Sequence, residues 1–198
     1  MNGQNSGILA VLLFPLIGGV LSFCSGKSNK GFRNHFINVV MLVEMAVIGY
    51  MAYLVCYEGR VMSTTLMSVG KLQIHFLLDR MHVLLCGLLT VVFVIMFWFL
   101  KESLWREERS NRFYLIYTVV YVMLLGAFMT DSLFNYSLFT VLTFLFIYPL
   151  IVHRQDENAL KNARIYLIFL TAAIVFLMAG CTLLLVKFGD TDYGVLYD

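Results

Sequence analysis

Ionisable side chains inside apolar segments are the residues through which this sequence could do chemistry. Glu44 is the clearest case, because it interrupts an apolar run over 36–57. An ionised acidic residue at the centre of a membrane helix costs about 2.5–3.5 kcal/mol on insertion scales. A carboxyl group kept there is therefore a candidate for relaying protons. The alternative is a protonated or hydrogen-bonded Glu packed between helices.

Further candidates stand at the ends of apolar runs. Asp79 precedes the third run and Asp131 follows the fourth, where carboxylates either favour helix N-termini or are simply solvated. His153, Lys161 and Arg164 lie between the fifth and sixth runs. They form either the cytoplasmic mouth of a proton path or ordinary basic anchors. Together with the intramembrane glutamate, these residues are the proton or ion path candidates.

Other kinds of site are not indicated. His82 and Cys86 share one face of the third run, but zinc usually takes four ligands, so no metal is expected. The four cysteines form no CxxC pair, and no nucleotide-binding, haem or nucleophile motif is present. We therefore expect no cofactor, no disulfide and no catalytic site of the chain's own. A net charge of +2 is too small to indicate a nucleic-acid partner.

Composition places the chain in a lipid bilayer. Hydrophobic residues make up 61% and charged residues 13% of the 198 residues, whereas a soluble domain has about 25% charged residues. A soluble fold of this length could not bury so much apolar surface. We predict a multi-pass protein of the cell (inner) membrane, with lipid as its main surroundings.

The elements that must position the candidates are six apolar runs, each close to the length of about 20 residues that crosses a membrane. We predict an all-α polytopic bundle, one membrane domain over 1–198, with helices over 7–23, 36–57, 81–100, 113–129, 133–152 and 165–186. The polar stretch over 60–78 alternates weakly and predicts a short hairpin or an interfacial segment. Gly18 and Gly19 predict close helix contact.

Orientation follows from the basic residues. Ten of the 14 Lys and Arg lie after the first, third and fifth runs, so these loops are predicted to be cytoplasmic. Both termini would then lie on the non-cytoplasmic side.

Three stretches carry a resemblance to a known family. They are Leu12–Gly19, with its proline and glycines; Phe76–Met81, which surrounds Asp79; and Asp131–Tyr136 through Tyr148–Val152, after which Ala159–Tyr166 resembles the entry to the family's sixth helix. In these stretches the chain resembles the N-terminal portion of the antiporter-like subunits of respiratory complex I. Subunits of membrane-bound hydrogenases, formate hydrogenlyase and multi-subunit sodium/proton antiporters belong to the same family. Arg80 stands where the family usually has glycine.

The resemblance implies a role in proton or sodium translocation beside other membrane subunits. It covers nearly the whole chain but only the front of a family member, which continues into a broken seventh helix with a buried lysine. It also places the family's key glutamate of the fifth helix at Val141, beside Thr140, and neither residue can ionise. Glu44 is not a recognised family site.

Three hypotheses remain open. The chain is a subunit, or split N-terminal piece, of a cation-translocating complex whose redox chemistry belongs to partner subunits. Alternatively, it is a non-conducting structural or assembly subunit of such a complex, which Val141 favours. The third hypothesis, an unrelated small transporter or membrane enzyme, lacks any catalytic constellation.

Overall fold

Six long helices and one β-hairpin make up the computed structural model, which describes residues 2–26, 30–69, 72–103, 110–154 and 157–188. In chain order the elements are α1 (Asn2–Ser25), α2 (Lys30–Cys56), β1 (Met62–Val69), β2 (Leu72–Leu78), α3 (Arg80–Ser103), α4 (Ser110–Phe128), α5 (Leu133–Ile151), a 3₁₀ turn (Val152–Arg154) and α6 (Glu157–Phe188).

Each helix is long and apolar enough to cross a membrane. The shortest have 19 residues, which at about 1.5 Å per residue is close to the thickness of the hydrocarbon core. Helices suit lipid because every backbone N–H and C=O is satisfied within the segment. The predicted six-helix bundle is confirmed. The orientation of the termini stays a prediction.

Several helices begin earlier than the apolar runs suggested. α2 starts at Lys30 rather than 36, and α6 starts at Glu157 rather than 165. The prediction that placed Arg33, Lys161 and Arg164 in loops was therefore wrong. Hydropathy ends a run at the first charges, whereas the helical backbone continues through them because its own hydrogen bonds do not depend on side-chain polarity.

The hairpin predicted over 60–78 is confirmed. β1 and β2 pair antiparallel, with Met62 opposite Leu78. Leu77 donates its N–H to the carbonyl of Met129 at 2.7 Å, and Phe76 forms an isolated bridge with Thr130. The turn between α4 and α5 thus extends the hairpin on one side. We call this end of the bundle the hairpin end.

The helices form a compact group of four with two added at one side. α1 packs against α2 and α4, α2 packs against α3, and α3 touches α4. α5 packs against α4, and α6 packs against α5. Half of the span of α4 is buried, but only 11% of the span of α6. Buried polar side chains occur in α1–α4 and also in β1, in the α4–α5 turn and in α5.

The predicted close contact at the two glycines is confirmed. A Cβ on Gly18 would lie 2.6 Å from Val40 Cγ1 of α2, and a Cβ on Gly19 would lie 3.0 Å from Thr118 Cβ of α4. Both neighbours are β-branched and stiff at χ1, so neither can easily move aside. The absence of a side chain at these two positions brings α1 against two helices at once.

We expect Gly18→Ala to lower the free energy of unfolding in mixed micelles by about 1–3 kcal/mol, because overpacking must separate α1 from α2. Gly87→Ala is the matched control, since no heavy atom lies within 4 Å of a Cβ at that helical position. Equal effects of the two substitutions would contradict the packing assigned to Gly18.

Candidate functional site

Glu44 lies near the middle of α2 and is fully buried. At about 1.5 Å per residue it is roughly 20 Å from Lys30 and 18 Å from Cys56 along the helix. Neither carboxylate oxygen has a hydrogen-bond partner among the described residues. An ionised Glu44 would be an uncompensated charge in a low-dielectric interior, which is a costly state. A neutral, proton-carrying acid fits this environment.

Polar groups from two other helices stand near Glu44. Cys86 of α3 and Tyr121 of α4 lie within electrostatic range of its carboxyl group. Thr90 Oγ1 donates to the carbonyl of Cys86 at 2.7 Å and lies 2.9 Å from Tyr121 Oη. Because the threonine has one hydroxyl proton, Tyr121 must donate to Thr90. The tyrosine oxygen keeps lone pairs that can accept a proton donor.

A small apolar void of about 10 Å³ lies on the hairpin side of Glu44. Ile48, one turn beyond Glu44, and Cys86 line this void, and Glu44 itself does not. Leu78, Val83 and Met129 also line it. Such a volume is about the minimum that one water molecule needs.

Asp79 caps the start of α3. Its Oδ1 accepts from the backbone N–H of His82 at 2.9 Å and lies 2.7 Å from His82 Nδ1. Partial burial acts to raise the pKa of Asp79, but the hydrogen bonds from His82 outweigh it and hold that pKa below its usual value. The other ring nitrogen of His82 faces the carbonyl of Thr130 at 3.2 Å. Both partners are acceptors, so both bonds form together only when both ring nitrogens carry protons.

A second histidine–aspartate pair lies beside the first. His75 Nδ1 of β2 is 2.9 Å from Asp131 Oδ2 in the α4–α5 turn. Asn135 of α5 donates to the carbonyl of Gln73 at 2.8 Å. Since Asp131 follows Thr130 directly, the structure brings the two predicted aspartates into one group at the hairpin end. We call His75, Asp79, His82 and Asp131 the hairpin-end cluster.

Arg33 is a buried residue that sequence reasoning missed. Its guanidinium donates to Asn34 Oδ1, to Ser110 Oγ at 2.8 Å and to Asn111 Oδ1, and lies 4.7 Å from the Tyr114 ring centroid. It thereby joins the start of α2 to the start of α4, at the end opposite the hairpin. The planar guanidinium of arginine carries five N–H donors, so it can bind several neutral acceptors at once.

The remaining predicted residues lie apart from these groups. His153 follows α5, with its ring centroid 5.2 Å from that of Phe113. Lys161 and Arg164 are exposed in the first turns of α6. No contact recorded for the described residues joins any of the three to Glu44. Whether these residues form part of an ion path stays a prediction.

The position at which the resemblance places a glutamate faces an apolar cavity. Thr140 and Val141 of α5 line a space of about 30 Å³ with Ala173 and Leu177 of α6.

Across the described ranges, no group of three His, Cys, Asp or Glu could hold a metal ion. The arrangement at Glu44 and at the hairpin end can bind and exchange protons.

The chain is a multi-pass membrane protein. No family model and no curated protein matches its sequence. Its fold is similar to that of a chain in the solved structure of the membrane-bound sulfane sulfur reductase (MBS), described as an archaeal respiratory membrane complex. The TM-score is 0.79 at 16% identity, and the similarity covers 93% of this chain. The chain matches 38% of the length of that protein chain.

We expect Arg33→Lys to lower the free energy of unfolding by about 1.5–3 kcal/mol, the range for hydrogen bonds to charged groups. A lysine ammonium cannot reproduce the planar fork that reaches Asn34 and Ser110 together. Arg60→Lys is the matched control, because Arg60 is exposed and its ion pair with Glu58 is worth little. Equal losses at both arginines would contradict the role given to Arg33.

Proposed function

We propose that this chain is a membrane subunit of a multi-subunit complex that translocates protons or sodium ions. The observation that carries the proposal is the fold. It is similar to the fold of a chain from a respiratory membrane complex, and the similarity covers 93% of the present chain. The sequence resemblance to antiporter-like subunits agrees with it. On this proposal the chain forms one domain in the cell (inner) membrane, with the hairpin end on the non-cytoplasmic side.

Within that complex, we assign the proton-binding role to Glu44. A proton carrier inside a membrane needs a titratable group that water does not reach freely and that no fixed charge neutralises. Glu44 meets both requirements among the described residues, because it is fully buried and its oxygens have no recorded partner. Asp79 and Asp131 then serve at the surface where protons or cations are exchanged. Any redox chemistry belongs to partner subunits.

A non-conducting structural or assembly subunit is the second candidate. The observation that favours it is the cavity beside Val141, because an apolar space at that position offers no group for an ion. A chain of this kind would still pack against lipid and other subunits through its apolar helices. The two candidates differ in whether replacing Glu44 alters ion movement.

The test is purification of the tagged chain from its native membrane, followed by reconstitution of the whole complex into vesicles. We expect other membrane proteins to co-purify in fixed ratio. We expect Glu44→Gln to leave that assembly intact, since glutamine has nearly the same shape, and to lower proton or sodium flux by about 10²-fold. Glu58→Gln is the matched control, because Glu58 lies outside the spans.

Two results would contradict the proposal in different ways. A chain that purifies without other membrane proteins is not a complex subunit. A complex that assembles with Glu44→Gln and shows unchanged flux leaves the structural candidate standing and removes the role of Glu44.

A further inference from the structure

We propose that His82 is a proton-operated clasp, which joins the start of α3 to the turn between α4 and α5 when its ring is protonated and releases that turn when it is neutral. The clasp goes beyond the proposed function and does not rest on it, because every contact involved lies within this one chain.

The imidazole ring of His82 faces a different acceptor on each side. Nδ1 lies 2.7 Å from Asp79 Oδ1, and Nε2 lies 3.2 Å from the carbonyl oxygen of Thr130. Both distances are within the range of N–H···O bonds. A carboxylate and a carbonyl have no proton to give, so each bond needs an N–H of the ring. The imidazolium supplies two such groups, whereas the neutral ring supplies one.

The neutral ring must give up one of these two bonds, and the geometry indicates which. The contact with Asp79 is the shorter one, and a hydrogen bond to an ionised acceptor is roughly twice as strong as one between neutral groups. The remaining proton therefore stays on Nδ1, and the bond from Nε2 to Thr130 is lost. Because Thr130 is buried, water cannot readily replace the missing donor.

His75 at the same end responds differently to the loss of a proton. Its Nδ1 faces one recorded acceptor, Asp131 Oδ2 at 2.9 Å. A neutral ring keeps that bond when its single proton is on Nδ1. Deprotonation therefore weakens the pair of His75 with Asp131 but does not break it, whereas deprotonation of His82 disconnects two segments of the chain.

Release of Thr130 changes how the start of α3 is held. The contacts of β2 with the turn involve backbone groups, so the hairpin stays attached. The next hydrogen bond recorded between α3 and α4 among the described residues joins Thr90 to Tyr121, about 12 Å farther along α3. In the released state, the two turns of α3 that follow His82 lose their recorded polar link to the far side of the bundle.

Several ionisable groups surround His82. Its own segment brings Asp79, in direct contact with the ring, and Arg80, which is exposed. The described groups on β2, the α4–α5 turn, the segment after α2, α2 itself and α4 are His75, Asp131, Glu58, Arg60, Glu44 and Tyr121. The first four form two pairs among themselves, and the last two are buried deeper in the bundle. Among the described residues, Asp79 is therefore the charged group recorded against the ring.

The sign of the pH dependence follows from the two bonds. The folded chain makes both of them only with the imidazolium, so the clasp stabilises the fold fully at low pH. Its contribution is lost as the pH rises through the range in which the ring gives up its second proton, ordinarily about pH 5–8.

Nitrogen-15 NMR of the full chain with labelled histidine in lipid nanodiscs tests the clasp directly. The shifts of Nδ1 and Nε2 show which ring nitrogen carries a proton. The chain has four histidines, and His35→Gln, His75→Gln and His153→Gln assign the other three rings. We expect both nitrogens of His82 to be protonated at about pH 5.5 and Nδ1 alone at about pH 8.5. A neutral ring with its proton on Nε2, or no loss of a proton over this range, would overturn the proposal.

The unfolding equilibrium in mixed micelles gives an independent readout. Between the same two pH values, we expect the unfolding constant of the wild type to rise about tenfold more than that of His82→Gln, because only the wild type loses a charge-dependent bond. His35→Gln is the matched control, since His35 is exposed near the start of α2 at the opposite end, and it should keep the wild-type pH dependence. Equal destabilisation by His82→Gln at every pH would show a purely structural role and contradict the clasp.

Discussion

The rest of the structure depends on one constraint, which is a carboxyl group in the middle of a membrane bundle. This group, Glu44, has no hydrogen-bond partner among the described residues. Hydrocarbon offers no hydrogen bonds, so polar groups at that depth must find partners within the protein. Other buried side chains do so locally: Thr118, Ser137 and Thr143 each donate to the carbonyl four residues earlier in their own helix. Glu44 makes no such hydrogen bond to any of the described residues. Its surroundings favour a neutral acid and make any loss of its proton costly.

Two sets of polar contacts hold the four central helices around that carboxyl. At the hairpin end, strand bonds and the hairpin-end cluster join β2 and the start of α3 to the turn between α4 and α5. At the opposite end, Arg33 joins α2 to α4. Close contacts at Gly18 and Gly19 bring α1 into the same group. α5 packs against α4, and α6 packs against α5, so the exposed Lys161 and Arg164 of α6 lie at one side of the four central helices.

Sequence reasoning identified the features that depend on local composition. Apolar length predicted six helices, weak alternation predicted the hairpin, and an acidic residue inside an apolar run pointed to Glu44. It failed for Arg33, because a charge near the end of an apolar run is typical of a solvated loop. The side chain is buried only because Ser110 and Asn111 reach it from 77 and 78 residues away. The pairing of His75 with Asp131 spans 56 residues and has no local pattern either.

The protonation state of Glu44 is the most direct test of this account. The infrared spectrum of the protein in lipid nanodiscs at neutral pH, minus that of Glu44→Gln, isolates the signal of this one group. The account predicts a C=O stretching band of a carboxylic acid that is absent in the variant. A difference spectrum showing only the paired bands of an ionised carboxylate would contradict it, because Glu44 would then have a charged partner that the bundle described above does not provide.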